Sequence, residues 1–186
     1  MRKLLTLVLF TLLPALVVFL VISGFFSVAE TSMMALNRYR LKHLVKTGHR
    51  GARLTAQLLA RPDRLLGVVL LGNNLINAAS AALVTYLTFR FFGESELALS
   101  AATLIVTFVI LVFSEITPKV IGATYPEKIA FPAAFVLTPL LRLAYPIVWF
   151  VNLFVSGLLR LARLKPGMDA QGQKLTLEEL RTLVLE

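Results

Sequence analysis

The chain contains no cysteine among its 186 residues and only two histidines. The absence of cysteine excludes disulfide bonds and metal sites that are built on thiolates. Charged residues are also scarce, because they make up 16% of the chain where an ordinary soluble domain has roughly 25%. Acidic residues are the scarcest of these, with 10 Asp and Glu against 19 Lys and Arg and a formal net charge of +9.

The excess of basic residues has two readings, nucleic-acid binding and membrane topology. Nucleic-acid binding uses a basic soluble face with aromatic side chains, so we expect no nucleic-acid partner here. Membrane proteins, in contrast, concentrate Lys and Arg on their cytoplasmic side. Hydrophobic residues make up 58% of the chain and the mean hydropathy is +0.81, which is typical of an integral membrane protein.

Three apolar segments, at about 4–29, 65–92 and 97–117, are each long enough to cross a bilayer, which requires about 20 residues per helix. The first segment begins with basic residues, as a signal peptide does. Its apolar run of about 24 residues, which ends in Ser-Gly-Phe-Phe-Ser, is too long for a signal core. We therefore interpret it as a retained transmembrane helix.

A fourth apolar stretch, at about 129–162, differs from the other three. It contains Pro132, Pro139 and Pro146, with Arg142 in its middle. Prolines at this spacing interrupt the helical hydrogen bonds about every two turns. We predict a Pro-kinked juxtamembrane belt helix that starts and ends on the cytoplasmic side, and a fourth membrane crossing is the alternative.

The loops predict the orientation of the chain. Residues 37–64 contain eight Lys or Arg and one acidic residue, whereas residues 90–96 contain one Arg and two Glu. The positive-inside rule therefore places the first loop and the C-terminus in the cytoplasm and the N-terminus outside. Leucines among the basic residues at about 37–60 predict two short cytoplasmic-side amphipathic helices, whose basic faces suit anionic membrane lipid.

Polar clusters interrupt the three apolar segments and contain Ser23 and Ser27, Asn73 and Asn77, and Glu115. Counted from the expected cytoplasmic helix ends at about 1.5 Å per residue, these side chains lie roughly 5 to 18 Å into the membrane. The two serines are four residues apart, as are the two asparagines, so each pair shares one helix face. Three packed helices would bring the clusters close together.

The clusters offer hydroxyl and amide oxygens and one carboxylate, which are ligands of hard cations such as Mg²⁺, Ca²⁺ or Na⁺. Two simpler roles stay open: Ser and Asn often hydrogen-bond one membrane helix to another, and Glu115 could pair with Lys119. A serine hydrolase would need a base near Ser23 or Ser27. Both histidines lie in the basic loop and no Gly-x-Ser-x-Gly motif is present, so we expect no enzyme.

Three motifs, "SGFFSVAETSMMAL" at 23–36, "LGNNLIN" at 71–77 and "SEITPK" at 114–119, resemble the membrane domain of the CorC/cyclin M (CNNM) family of magnesium transporters. The resemblance extends over about residues 4–186, and the order of the three motifs makes it specific. It implies an all-α membrane protein with three transmembrane helices, two short cytoplasmic-side helices and a belt helix. It also implies a homodimer that exports Mg²⁺, driven by Na⁺ entry.

The resemblance further assigns an ion site to particular residues. The implied ligands are Ser23, the Gly24 backbone, Ser27, Asn73, Asn77 and Glu115, with Asn74 and Ser114 as weaker candidates.

The resemblance also predicts how the chain divides. We expect residues 1–165 to form the transmembrane domain and residues 166–186 to begin a linker to a missing cytoplasmic CBS-pair domain, which binds ATP in many family members.

The expected function is Mg²⁺ export across a bacterial inner membrane, with Na⁺ as a possible coupling ion. The alternatives are a passive channel, a transporter of another divalent cation such as Co²⁺, and a membrane anchor that transports nothing.

Overall fold

The computed structural model describes residues 2–161, in which no strand occurs. The helices are α1 (Arg2–Met34), α2 (Arg38–Lys46), α3 (Arg50–Leu59), α4 (Pro62–Phe92), α5 (Glu96–Val109), a π-helical segment (Ile110–Ile116), α6 (Thr117–Thr124) and α7 (Pro126–Leu161). This order confirms the predicted all-α membrane fold. The prediction for residues 166–186, and the final residue of the predicted belt, lie outside the described residues.

Three helical stretches within the described part of the chain are long and apolar enough to cross a membrane. They are Thr11–Met34, Pro62–Phe92 and Glu96–Thr124, and they coincide with the three apolar segments of the sequence. Helix α1 packs against α4, against the π-helical segment and against α6, while α4 also packs against α5. Helix α1 therefore contacts each of the other elements that carry one of the polar clusters.

The third span does not end near residue 117, which is where the sequence predicted its end. It changes to a π-helix over Ile110–Ile116 and then continues as α6 to Thr124, with the Thr117 N–H donating to the carbonyl of Val112, five residues earlier. A proline has no N–H, and its ring clashes with the carbonyl four residues earlier in a regular α-helix. The wider π turn just before Pro118 accommodates the ring, so the helix continues past it.

Helix α1 also extends beyond its expected end near Ala29, and it ends at Met34. The polar residues of this last stretch do not interrupt the helix. Ser32 is fully buried, and its hydroxyl donates to the carbonyl of Ala29 at 3.0 Å. Because this hydrogen bond is made inside the helix, the serine is satisfied without a partner elsewhere.

Helices α2 and α3 form the basic hairpin, a term used below for residues Arg38–Leu59. The Asn37 side chain caps α2 by accepting from the N–H groups of Tyr39 and Arg40, and His49 Nδ1 caps α3 by accepting from the Ala52 N–H at 3.0 Å. The buried residues Leu41, Ala52, Leu58 and Leu59 join the hydrophobic core. The hairpin is therefore packed against the membrane helices through its apolar face.

Two compact units divide the chain, Met1–Ala144 and Tyr145–Glu186, and α7 contributes residues to both. In the first unit α7 buries one face of its first turns, formed by Ala130, Ala133, Ala134 and Leu137. This spacing is that of a helix stripe facing a core. The described part of the second unit continues α7 to Leu161, and the three prolines do not divide α7 into separate helices.

Candidate cation site between the membrane helices

Ser23 is the centre of a polar cluster that joins the three spans. Its hydroxyl lies 2.5 Å from Asn73 Oδ1 and 2.7 Å from Asn77 Oδ1, and both asparagines are on α4. The amide nitrogen of Asn77 donates to Glu115 Oε1 at 3.3 Å, in the π-helical segment. The structure therefore brings together one predicted residue of α1, two of α4 and the predicted carboxylate.

The cluster contains more oxygen acceptors than hydroxyl protons. Because the Asn77 amide group points its nitrogen at Glu115, its oxygen points at Ser23. Ser23 has one hydroxyl proton and can donate it fully to only one of the two asparagine oxygens. Three neutral oxygens thus converge with too few protons between them, which is an arrangement that a bound cation would stabilise.

Ser27, one helical turn after Ser23, adds an unsatisfied hydroxyl. Its side chain is fully buried, and its Oγ has no hydrogen-bond partner. A buried polar atom without a partner costs free energy and calls for an explanation. A hydroxyl oxygen kept available for an ion is one explanation that agrees with its position on the face of Ser23.

Ser114 and Gly24 hold the π-helical segment against α1. The buried Ser114 hydroxyl donates to the carbonyl of Leu20 at 3.1 Å, so its proton is used for helix packing. A methyl group built on Gly24 would lie 3.4 Å from Pro118 Cγ and 3.5 Å from the carbonyl oxygen of Phe113. Both residues lie next to the cluster, and each makes a close contact between helices.

Asn74 is the predicted residue that the structure does not bring into the cluster. Its side chain is exposed, whereas Asn73 and Asn77 face Ser23. Residue 74 follows Asn73 by one position, which turns its side chain about 100° around the helix.

Glu115 and Lys119, which are both among the described residues, form no ion pair, whereas Arg40 Nε pairs with Glu127 Oε1 at 2.7 Å. Glu115 instead accepts the hydrogen bond from Asn77. This carboxylate is the negative charge of the cluster. In the described residues no group of three or more His, Cys, Asp or Glu side chains comes together, so a cation here would be held mainly by neutral oxygens.

Pro118 belongs to the third sequence motif, whereas Gly122 is a positioning residue that the sequence did not single out. Both are buried on α6, and a methyl group on Gly122 would lie 2.7 Å from the Val28 carbonyl oxygen of α1. Because α6 directly continues the segment that bears Glu115, this contact sets the distance between Glu115 and α1. A small residue four positions after a proline was the available signal, since small residues allow membrane helices to approach closely.

Comparison with known proteins identifies the family of the chain. Residues 14–186 match the family model of the cyclin M transmembrane N-terminal domain. The UPF0053 inner membrane protein YfjD of Escherichia coli strain K12 is 47% identical over 89% of this chain and 38% of its own length. A UPF0053 protein of Haemophilus influenzae is 42% identical over 95% of this chain and 41% of its length.

A more distant relative has a functional name. The polyamine export protein of Haemophilus influenzae is 26% identical over 84% of this chain and 39% of its own length. The chain thus spans about two fifths of the length of these three curated relatives. Because the family model covers nearly the whole sequence and the three spans match its membrane character, the chain is an integral membrane protein that belongs to the cyclin M (CNNM) transmembrane-domain family.

Proposed function

We propose that this protein transports Mg²⁺ across the membrane, with the ion bound between Ser23, Ser27, Asn73, Asn77 and Glu115. The observation that supports this most is the convergence of Ser23 Oγ with Asn73 Oδ1 and Asn77 Oδ1 beside a single carboxylate. Hydroxyl, amide and carboxylate oxygens suit a hard divalent cation. They do not suit the metals that prefer sulfur or imidazole.

The spacing of the oxygens agrees with a small ion. Mg²⁺ binds oxygens at about 2.0–2.1 Å in octahedral geometry, so neighbouring ligand oxygens lie about 2.9 Å apart. The distances of 2.5 and 2.7 Å from Ser23 to the two asparagines are those of O–H···O hydrogen bonds, and a small outward movement would give the spacing of ligands around Mg²⁺. Mg²⁺ also usually keeps some of its waters, so a few protein oxygens are sufficient.

The coupling ion and the assembly belong to the same proposal. In it, Na⁺ entry drives Mg²⁺ export, the protein acts as a homodimer in a bacterial inner membrane, and the cytoplasmic face carries the basic hairpin. The resemblance of the three motifs supports these features, and the name of the Escherichia coli relative supports the inner-membrane location.

Catalysis is not part of the proposal. The Ser23 hydroxyl faces amide oxygens, and His49 uses its Nδ1 to cap α3. A serine nucleophile would need a base within hydrogen-bond reach, and these contacts provide Ser23 with none.

Polyamine export is the second candidate, because one relative is named for it. A polyamine is a chain of ammonium groups, and each of these groups needs its own acceptors. The described cluster is compact and contains one carboxylate, which favours a single small ion. The two candidates therefore differ in whether the transported cation is compact or extended.

Transport from proteoliposomes distinguishes these functions. We expect Mg²⁺ loaded on the side of the basic hairpin to leave faster when Na⁺ is present on the opposite side. Putrescine loaded in the same way should be retained. Mg²⁺ flux that ignores Na⁺ would exclude coupling, putrescine efflux without Mg²⁺ efflux would favour the second candidate, and the absence of all flux would favour a membrane anchor.

A further inference from the structure

The basic hairpin has a second surface that the candidate cation site does not use. Residues 38–61 contain seven Lys and Arg and no Asp or Glu. All seven of these side chains are exposed, namely Arg38, Arg40, Lys42, Lys46, Arg50, Arg53 and Arg61. Arg40 is the member that pairs with Glu127, at 2.7 Å. The remaining six, of which five lie in the hairpin and Arg61 follows it, leave a concentrated positive charge on its outer side.

These charges lie in stripes because of helix geometry. On α2, Arg38, Lys42 and Lys46 follow one another at intervals of four residues, so they share one face. On α3, Arg50 and Arg53 share the exposed face. The core-facing side chains of both helices lie on other faces than these stripes, so the hairpin cannot turn its basic stripes inward.

The connections keep these stripes close to the ends of two membrane spans. The first candidate span ends at Met34 and α2 begins at Arg38, while α3 ends at Leu59 and the second span begins at Pro62. Such short connections hold the hairpin at the level where the helices leave the bilayer. Tyr39, which is 86% exposed, lies among the basic residues, and an amphipathic ring of this kind is favoured at the headgroup level.

We propose that the outer face of the basic hairpin binds anionic phospholipid headgroups of the adjacent leaflet. Clusters of four to eight Lys and Arg beside a membrane span attract anionic lipids, and the attraction adds up over the charges. The positive charge of this face complements the negative headgroups. The hairpin is attached through its apolar side, and its short connections keep it near the ends of the two spans. Lipid headgroups lie beside the hairpin whenever the protein is in a membrane, whereas a nucleic acid would have to bind from solution. Lipid is therefore the partner that we propose.

A fluorescence experiment on the full chain tests this proposal. The natural sequence has no cysteine, so Gln57→Cys on the exposed face of α3 can carry a single fluorophore. The labelled protein is placed in phosphatidylcholine liposomes, and phosphatidylglycerol with a quencher near its headgroup is titrated in. We expect saturable quenching that weakens with added salt, because salt screens exposed charges. Phosphatidylcholine with the same quencher should quench only in proportion to its mole fraction.

Charge neutralisation supplies the decisive comparison. The triple variant Arg38→Gln, Lys42→Gln, Lys46→Gln should need at least about tenfold more phosphatidylglycerol for half-maximal quenching, because each lost charge weakens the attraction. Arg90→Gln, at the other end of α4, is the matched control and should leave the titration unchanged. Equal quenching by both lipids, or a triple variant that behaves like the control, would overturn the proposal.

A second variant keeps the proposal testable if the triple variant misfolds. If the triple variant does not fold, Arg50→Gln with Arg53→Gln removes two exposed charges from α3 and leaves the α2 cap intact. The amount of phosphatidylglycerol needed for half-maximal quenching should then also rise, but by a smaller factor. If an anionic oligonucleotide added outside the liposomes displaces phosphatidylglycerol at equal charge concentration, the face is a general polyanion site and the lipid assignment is wrong. None of these readouts depends on ion transport.

Discussion

At the scale of single residues, the candidate site depends on which side chains have protons to donate and which do not. Ser23 faces two amide oxygens with one hydroxyl proton, and Ser27 is buried with no partner for its Oγ. Ser114, by contrast, spends its proton on the Leu20 carbonyl. Three buried serines of the same type therefore have different roles, which only their partners reveal.

Replacing Glu115 with Gln should abolish tight Mg²⁺ binding while the fold is kept. The Gln carbonyl can still accept from Asn77, as Glu115 Oε1 does at 3.3 Å, but the charged ligand is lost. Changes to hydrogen-bond partners of metal ligands already cost roughly 10–100-fold in affinity, so loss of a direct ligand should cost at least about 100-fold. The measurement is the rise in melting temperature of the purified protein with added Mg²⁺. An unchanged rise in this variant would exclude Glu115 as a ligand.

Ser27→Ala should separate folding from ion binding. Removing a buried hydroxyl that has no partner should raise the free energy of unfolding by roughly 1 kcal/mol, because its desolvation is no longer uncompensated. The same change should weaken Mg²⁺ binding, since one oxygen is lost. Both effects can be read from denaturation in mixed micelles with and without Mg²⁺.

The control is Ser80→Ala, which removes a buried hydroxyl that already donates to the Ile76 carbonyl of its own helix. This variant should leave the Mg²⁺ response intact. If Ser27→Ala is destabilised in the absence of Mg²⁺, then Ser27 has a structural partner and the interpretation fails.

At the scale of elements, α1 is packed against each of the other parts of the site through small residues. A methyl group on Gly72 of α4 would lie 2.8 Å from the Phe26 ring, and one on Gly122 of α6 would lie 2.7 Å from the Val28 carbonyl oxygen. At distances below 3.0 Å one of the two atoms must move. The neighbour of Gly72 is the tip of a side chain, whereas the neighbour of Gly122 is backbone, so Gly122 allows an approach that alanine would prevent. The backbone contact at Gly122 therefore sets the distance between α1 and α6.

Gly122→Ala should push α6 away from α1 and destabilise the protein by roughly 1–3 kcal/mol, the usual cost of overpacking. The clash is with backbone, which cannot move aside as a flexible side chain would. Gly157→Ala is the matched control, because a methyl group there meets nothing within 4 Å, and it should stabilise α7 by up to about 1 kcal/mol. Unfolding of the two variants side by side checks this. Equal stabilities would mean that the α1–α6 contact is looser than described.

At the scale of the whole molecule, the three spans and the basic hairpin predict one orientation in the membrane. The hairpin lies between the first and second spans, and residues 93–95 lie between the second and third. These two connections are on opposite ends of α4. The ion pair of Arg40 with Glu127 places the start of α7 at the hairpin end.

Single cysteines in this cysteine-free chain test the orientation directly. Lys42→Cys and Glu127→Cys should react with a membrane-impermeant maleimide only from the cytoplasmic side, because both lie at the hairpin end. Glu94→Cys, exposed between the second and third spans, should react only from the outside. Labelling of intact cells and of inverted vesicles measures this, and a reversed pattern would contradict the charge-based prediction.

Much of this protein follows from its sequence alone. The number of spans follows from three apolar segments, because a bilayer accepts only long apolar helices or closed barrels. The depth of the residues in the membrane and their helix spacing predicted that Ser23 lies near Asn73, Asn77 and Glu115. The structure places these side chains together. The helix periodicity of 3.6 residues makes such faces readable without coordinates.

Other features were decided only by the tertiary structure. The continuation of the third span beyond Pro118 depends on a π turn. The exposed side chain of Asn74 contrasts with those of Asn73 and Asn77, which face Ser23. Three further features depend on atoms that are distant in sequence. They are the absence of a partner for Ser27 Oγ, the close contact of Gly122 with α1 and the hydrogen bond of Ser114 to Leu20. Local patterns describe which face a residue occupies, but the partner that it meets there is set by how α1 packs against α4 and α6.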